Sequence, residues 1–236
     1  MNSPYGLPAE CLTCHLRTDS FCCSLSQESL EALKQIKHAT VFPEGAVIFV
    51  EGQLPRGIFM LCQGQAKLST TSRDGKAFIL RIATGGEILG LDAVVTGKPY
   101  ELTMETMQPS RLAFVNREEF LRFLKEHGDA CLQAAQHISR DCHDAYEAAR
   151  LIALSHSIPG RVAKFLLASA TDGQGTNGVV CARLALTHTD IAQLVGTTRE
   201  TITRTLAEFR KKGIVEIRAS TLIIHNKPAL ERLVAA

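Results

Sequence analysis

The sequence predicts an α+β chain: an N-terminal β-sandwich or barrel, one long helix and a C-terminal winged helix-turn-helix. Three observations lead there. Short β-rich runs separated by glycines fill residues 39–115. No Gly or Pro interrupts the helical pattern from Asp129 to Ser157. Two capped helical segments joined by Gly196-Thr197 lie near the C-terminus. The chain has 236 residues and is 45% hydrophobic, enough for one large or two modest domains.

The first segment, residues 11–23, reads CLTCHLRTDSFCC, four cysteines and a histidine ahead of any core element. Leu30, Leu33 and Ile36 then recur at helical spacing, with Ser26 as the expected N-cap. From Ala39 to Val115 the runs TVFPEGAVIFVEG, GIFMLCQGQAKLS, KAFILRIATGGEILG and RLAFV read as strands, and Asp74-Gly75 as a hairpin turn. Such spacing indicates a sandwich or barrel. From about Glu118 to His156 the pattern is helical. Within it Cys131, Ile138, Ala145 and Ile152 lie seven apart, as do Ala135, Cys142 and Ala149. This a/d seam of small residues predicts a helix packed against a copy of itself, hence a homodimer. Pro159-Gly160 is read as a hinge. The expected divisions are a cysteine-rich segment (1–26), the β-rich sensory domain (27–127), the dimerisation helix (128–157) and the winged helix-turn-helix (158–236).

Charge separates the halves. Residues 1–155 carry 15 Lys and Arg against 18 Asp and Glu, whereas residues 156–236 carry 11 against 6, under a net charge of only +2. A basic C-terminal third suits an acidic partner such as DNA phosphate. The start, MNSPYGLPAE, lacks the basic-then-apolar pattern of a signal peptide, and no run approaches the ~18 apolar residues of a membrane span. No membrane association and a cytoplasmic location are expected. Eight cysteines in a reducing compartment point to thiols, metal ligands or redox sensors rather than structural disulfides.

The most informative stretch is LTHTDIAQLVGTTRETITRTLAEFRKKGIV, residues 186–215. Thr187 caps a first helix, with Asp190 three residues on. Ile191, Leu194 and Val195 form its apolar stripe. Thr198 caps a second helix whose apolar face is Ile202, Leu206 and Phe209. That helix leaves Arg199, Glu200, Thr203 and Arg204 on its other face, where a recognition helix meets base edges. Arginine bonds guanine bidentately and glutamate accepts from cytosine N4. An ordinary charged face with Glu200 paired to Arg204 is the competing account. IVEIR and TLIIH around Ala219-Ser220 predict the wing, and Lys211 and Lys212 are candidate phosphate contacts. Double-stranded DNA is the expected partner.

Taken together, FPEGAVIFVEG, GIFMLCQGQAKL, GGEILGLDAV, the long helix and GTTRETITR resemble CRP/FNR-family transcription regulators over nearly the whole chain. The resemblance implies a homodimer, a sensory double-stranded β-roll at 27–127 like cyclic-nucleotide-binding domains, a winged helix on a palindromic site, and RNA polymerase as a partner. Arg199, Glu200 and Arg204 match the family's base-reading positions. Arg199 resembles the catabolite-activator branch, which reads TGTGA-like half-sites. The FNR branch carries Ser where this chain has Thr203, so Thr203 departs from both.

For the effector the resemblance points two ways. Cyclic-nucleotide binders of the family carry Gly-Glu and then Arg-Ser or Arg-Thr around the cyclic phosphate. Here Gly90-Leu91 lacks the Glu, KPYELT places Tyr100 and Glu101 where Arg belongs, and Glu87 falls a turn too early. The cysteine segment resembles the loop of FNR-type oxygen sensors, implying a [4Fe–4S] cluster on Cys11, Cys14 and Cys23, with Cys22 beside it. The family's fourth cysteine is replaced by Ser110, and Cys62 is the candidate substitute. Zinc on Cys11, Cys14, His15 and Cys23, a thiol switch without cofactor, haem through the C-x-x-C-H pattern, or another small-molecule effector are the alternatives. Catalysis is not expected: residues 40–115 contain no His for a cupin-type metal, and no nucleophile elbow or Gly-rich phosphate loop occurs. A ligand-binding module acting on a protein partner is the other class, separable by salt-dependent binding to palindromic DNA.

Overall fold

The computed structural model describes residues 21–22, 24–154, 157–170, 174–176 and 179–235. The chain forms two compact units, Met1–Asp144 and Ala145–Ala236.

In the first unit, α1 (Gln27–Ile36) precedes β1 (Lys37–Phe42), β2 (Val47–Phe49), β3 (Gly57–Gln63), β4 (Gln65–Thr71), β5 (Ala77–Thr84) and β6 (Ile88–Leu89). Then follow α2 (Leu91–Thr96), β7 (Thr103–Thr106), β8 (Ser110–Asn116), α3 (Arg117–Glu126) and the start of α4 (Gly128–Leu154). The strands pair antiparallel into two sheets, β1-β8-β3-β6 and β2-β7-β4-β5. Ser72 and Lys76 close the β4–β5 hairpin, with Gly75 at φ 78° in the turn. Strand alternation sends one set of side chains to each face. Phe59, Leu61 and Leu112 meet Phe49, Leu68, Met104 and Tyr100 in one core. Ile58, Met60, Ala113 and Val115 pack with Phe21, Leu33, Phe120 and Ala130 in a second.

Ser26 caps α1 by accepting from Ser29 N–H, and Asp129 accepts from Ser26 N–H at 2.7 Å and from the Ser29 hydroxyl at 2.7 Å. These bonds hold the Asp129 carboxyl well below the usual carboxylate range. The helical stretch expected from Glu118 to His156 is two helices: His127 turns extended (φ −124°, ψ 97°) between α3 and α4. Ala130, Ala134 and His137 of α4 are buried within this unit, while Cys131, Leu132, Ala135 and Cys142 are exposed.

The second unit holds α5 (Ile158–Ser169), β9 (Gln174–Thr176), β10 (Val179–Arg183), α6 (His188–Val195), α7 (Arg199–Lys211), β11 (Val215–Arg218), β12 (Thr221–Ile224) and α8 (Lys227–Ala235). Its sheet runs β11-β12-β10-β9. Val162, Leu166, Ile191, Ile202, Phe209, Leu222 and Leu230 share its core. Pro159 and Gly160 are no hinge loop. They lie in the first turn of α5, capped by Ser157, where proline's missing N–H costs no helical bond. Gly160 is needed for packing, because a Cβ there would sit 2.7 Å from the Leu233 carbonyl of α8.

Candidate nucleic-acid interface

The helix pair is built by its caps. Thr187 Oγ1 accepts from Asp190 N–H at 3.1 Å, and the Asp190 carboxylate accepts from Thr187 N–H at 2.9 Å, a complete capping box. Gly196 ends α6 in the left-handed region, φ 67°. Glycine reaches that conformation without the Cβ clash other residues meet. Thr197 N–H then bonds Ala192 O at 2.9 Å, and Thr198 caps α7 by accepting from Thr201 N–H. Thr187 and Thr198 thus stand at the two helix N-termini with their hydroxyls committed to capping.

Ile202, Thr205 and Phe209 fix α7 by burying one face. Arg199, Glu200, Thr203 and Arg204 remain exposed on the other, followed by exposed Lys211 and Lys212. Among the described residues no ion pair joins Glu200 to Arg204, so their polar ends are available to a partner. Among the described residues Thr203 is the one of the four whose side chain is tied down, through its hydroxyl to Arg199 O at 3.0 Å and to His188 Nδ1 at 2.9 Å.

The wing forms as the strand pattern predicts. β11 and β12 pair from Val215↔Ile224 to Arg218↔Thr221, turning at Ala219 (φ 51°) and Ser220. Arg218 is exposed near the tip, bonded to Glu216 at 2.8 Å, which holds the Glu216 carboxyl below its ordinary range. His188 and Arg218 were not singled out by sequence reasoning. His188 carries no periodic signal, and Arg218 gains meaning only once the hairpin places it at a turn.

At the other candidate site, Cys11, Cys14, His15 and Cys23 lie outside the described residues. Cys22 and Cys62 are half-buried against one hydrophobic cluster. Phe21, 1% exposed, donates its N–H to Gly86 O at 3.3 Å, and Gly86 N–H in turn bonds Leu61 O at 2.7 Å. The chain entering from the cysteine segment is therefore joined, through Gly86, to the residue before Cys62. Ser110 is fully buried, its hydroxyl donating to Gln108 O at 2.7 Å. Among the described residues no group of three or more His, Cys, Asp or Glu is arranged to hold a metal. Tyr100, which the resemblance aligns with the Arg of cyclic-nucleotide binders, donates to Gly57 O at 2.6 Å and stacks on Phe49 with ring centroids 4.1 Å apart. Burial pushes its phenol above the ordinary range.

Residues 39–127 match the family model for the cyclic nucleotide-binding domain, and residues 160–233 that for the Crp-like helix-turn-helix domain. The chain belongs to the CRP/FNR family of transcription regulators. Like its relatives it is a DNA-binding transcription regulator and not an enzyme. It is 24% identical over 205 residues to a CRP-like cAMP-activated global transcriptional regulator of Mycobacterium tuberculosis, covering 86% of this chain and 91% of that one. It is 22% identical over 204 residues to the anaerobic regulatory protein of Bacillus subtilis, covering 86% of each. In fold it matches FixK2 of Bradyrhizobium japonicum with a TM-score of 0.72 at 20% identity, over 85% of this chain and 98% of that one. Among the described residues no helix is long and apolar enough to cross a membrane.

Proposed function

We propose that this CRP/FNR regulator is a cytoplasmic homodimer that binds a palindromic TGTGA-like site, works with RNA polymerase, and is gated by oxidation at its N-terminal cysteines. The observation that carries the gating is the anchoring of Phe21 on Gly86, beside the strand that bears Cys62. Cys62 lies on β3 with Ile58 and Met60, facing the cluster that holds Phe21 and packs against Cys22. Leu112 of β8 belongs to the other core, and Ser110 shares its parity. Cys62 is thus the candidate fourth thiol for Cys11, Cys14 and Cys23, on the side of the roll where Phe21 enters, whereas Ser110 offers no thiol. A [4Fe–4S] cluster held there would supply an oxygen-labile tie between the segment and the roll. Zinc, or a thiol pair without metal, would use the same residues.

The same turn leads to α4. Glu87 is bonded by Arg81, Arg81 also reaches Asp141 at 3.0 Å, and Ile88 N–H points at His137 Nε2 at 3.5 Å. Asp141 and His137 belong to α4, whose exposed Cys131, Ala135 and Cys142 face would be covered by a second copy. A changed thiol state thus has a physical route to the dimer contact. Cyclic nucleotide gating, named for the Mycobacterium tuberculosis relative, does not suit these residues: Tyr100 is committed to Gly57, and the exposed carboxylate of Glu101 would repel a phosphate.

The test is anaerobic purification followed by a visible spectrum and assays of iron, sulfide and zinc per chain. Equal iron and sulfide that disappear in air, with loss of palindrome binding, are the expected result. Zinc alone would make the segment structural or zinc-regulated. Metal-free protein after reconstitution, with DNA binding indifferent to peroxide, would end the gating proposal.

A further inference from the structure

The hydrogen-bond inventory around Thr203 determines what that side chain can offer DNA. Its hydroxyl has one proton, and that proton goes to Arg199 O at 3.0 Å, one helical turn back. The contact with His188 Nδ1 at 2.9 Å therefore runs the other way, with Nδ1–H donating to Oγ1. A hydroxyl held from two sides fixes χ1, and a β-branched side chain with fixed χ1 has a fixed methyl. Thr203 is exposed between Arg199 and Arg204. It presents a methyl and one spare lone pair, but no donor.

We infer that His188 is a positioning residue for base reading, locking Thr203 so that its methyl contacts the C5 methyl of a thymine in the major groove. Apolar contact with that methyl is one of the ways side chains separate T·A from C·G. His188 suits the task because it is the first residue of α6, set by the Thr187–Asp190 capping box, while Thr203 lies on α7. The bond thus links the orientation of a side chain on the recognition helix to the helix before it. This inference rests on α7 entering the major groove.

The experiment uses the full-length protein in its DNA-binding state and a duplex obtained by selection from random sequence. Each thymine is replaced in turn by deoxyuridine, which lacks only the methyl. One position per half-site should lose about threefold to fivefold in affinity, the worth of one buried methyl. Thr203→Ser should abolish that sensitivity, whereas Thr203→Val, which keeps a methyl and removes the hydroxyl, should retain it. His188→Ala should blunt it without removing discrimination elsewhere. His188→Asn, whose amide nitrogen occupies the place of Nδ1, should restore it. Three results would overturn the inference: no thymine responds to deoxyuridine, Thr203→Val erases discrimination as Thr203→Ser does, or His188→Ala leaves the response intact. Arg199→Ala separates this failure from that of the groove reading. If Arg199→Ala still loses guanine discrimination, only the His188–Thr203 assignment falls; if it does not, the docking itself is wrong.

Discussion

Single side chains carry the chemistry, and each has its own expected signature. Arg199 is exposed and its side chain has no partner among the described residues, so its guanidinium enters a complex with its bonds unspent. Arg199→Ala should cost about 1–3 kcal/mol of discrimination at one base pair. Equal weakening on cognate and scrambled duplexes would remove it from the base-reading set. Lys211 is a different case, because phosphate contacts position without specifying. Lys211→Ala should weaken binding to all sequences and reduce the slope of log K against log salt by about one. Asp129 gives a pH expectation. Its carboxyl titrates below the ordinary range because Ser26 and Ser29 donate to the ionised form. The stability it adds is complete above the unfolded carboxylate range and is lost as pH falls through the folded value. Asp129→Asn should therefore lower the thermal midpoint at neutral pH and narrow the gap between variant and parent as acid is added. A constant gap down to strongly acidic pH would refute the assignment.

At the scale of elements, the caps set where each helix begins. Thr187→Ala removes the acceptor for Asp190 N–H and half of a capping box, and should cost roughly 0.5–2 kcal/mol in denaturant unfolding. β3 has no room for even one added carbon at Gly57, where a Cβ would lie 2.0 Å from the Val115 carbonyl. Neither strand can give way without breaking its ladder, so Gly57→Ala should abolish soluble, folded protein. Much at this scale was legible in the sequence. Thr187, Asp190, Gly196 and Thr198 place both helices through local backbone chemistry, and Asp74-Gly75 marks a hairpin for the same reason. β9 and β10 went unrecognised because Gln174–Thr176 and Val179–Arg183 are short and acquire strand character by pairing, β10 with β12 and β9 with β10. The Pro159-Gly160 pair misled for a related reason. It looks like a break locally, but helix geometry accepts proline in the first turn, and α8 demands the glycine.

For the whole molecule, the face of α4 that the chain leaves uncovered is the expected site of self-association. Cys131, Ala135 and Cys142 recur on it at heptad spacing, whereas Ala130, Ala134 and His137 turn inward. Ala135→Glu should shift sedimentation from dimer to monomer and abolish binding to a palindrome, leaving secondary structure unchanged. A variant that stays dimeric would move the contact elsewhere.

The sequence by itself determined the α+β plan, the helix-turn-helix and the exposed face of α7 that carries Arg199, Glu200, Thr203 and Arg204. Those features depend on periodicity, caps and turns, which are local. Only the tertiary structure decided that Thr203 spends its hydroxyl on Arg199 and His188, that Tyr100 commits its hydroxyl to Gly57, and that Cys62 rather than residue 110 lies on the side of Phe21. All but the Thr203–Arg199 bond join residues distant in the chain, and the packing of helices and strands that brings them together is something to which no short stretch of sequence has access.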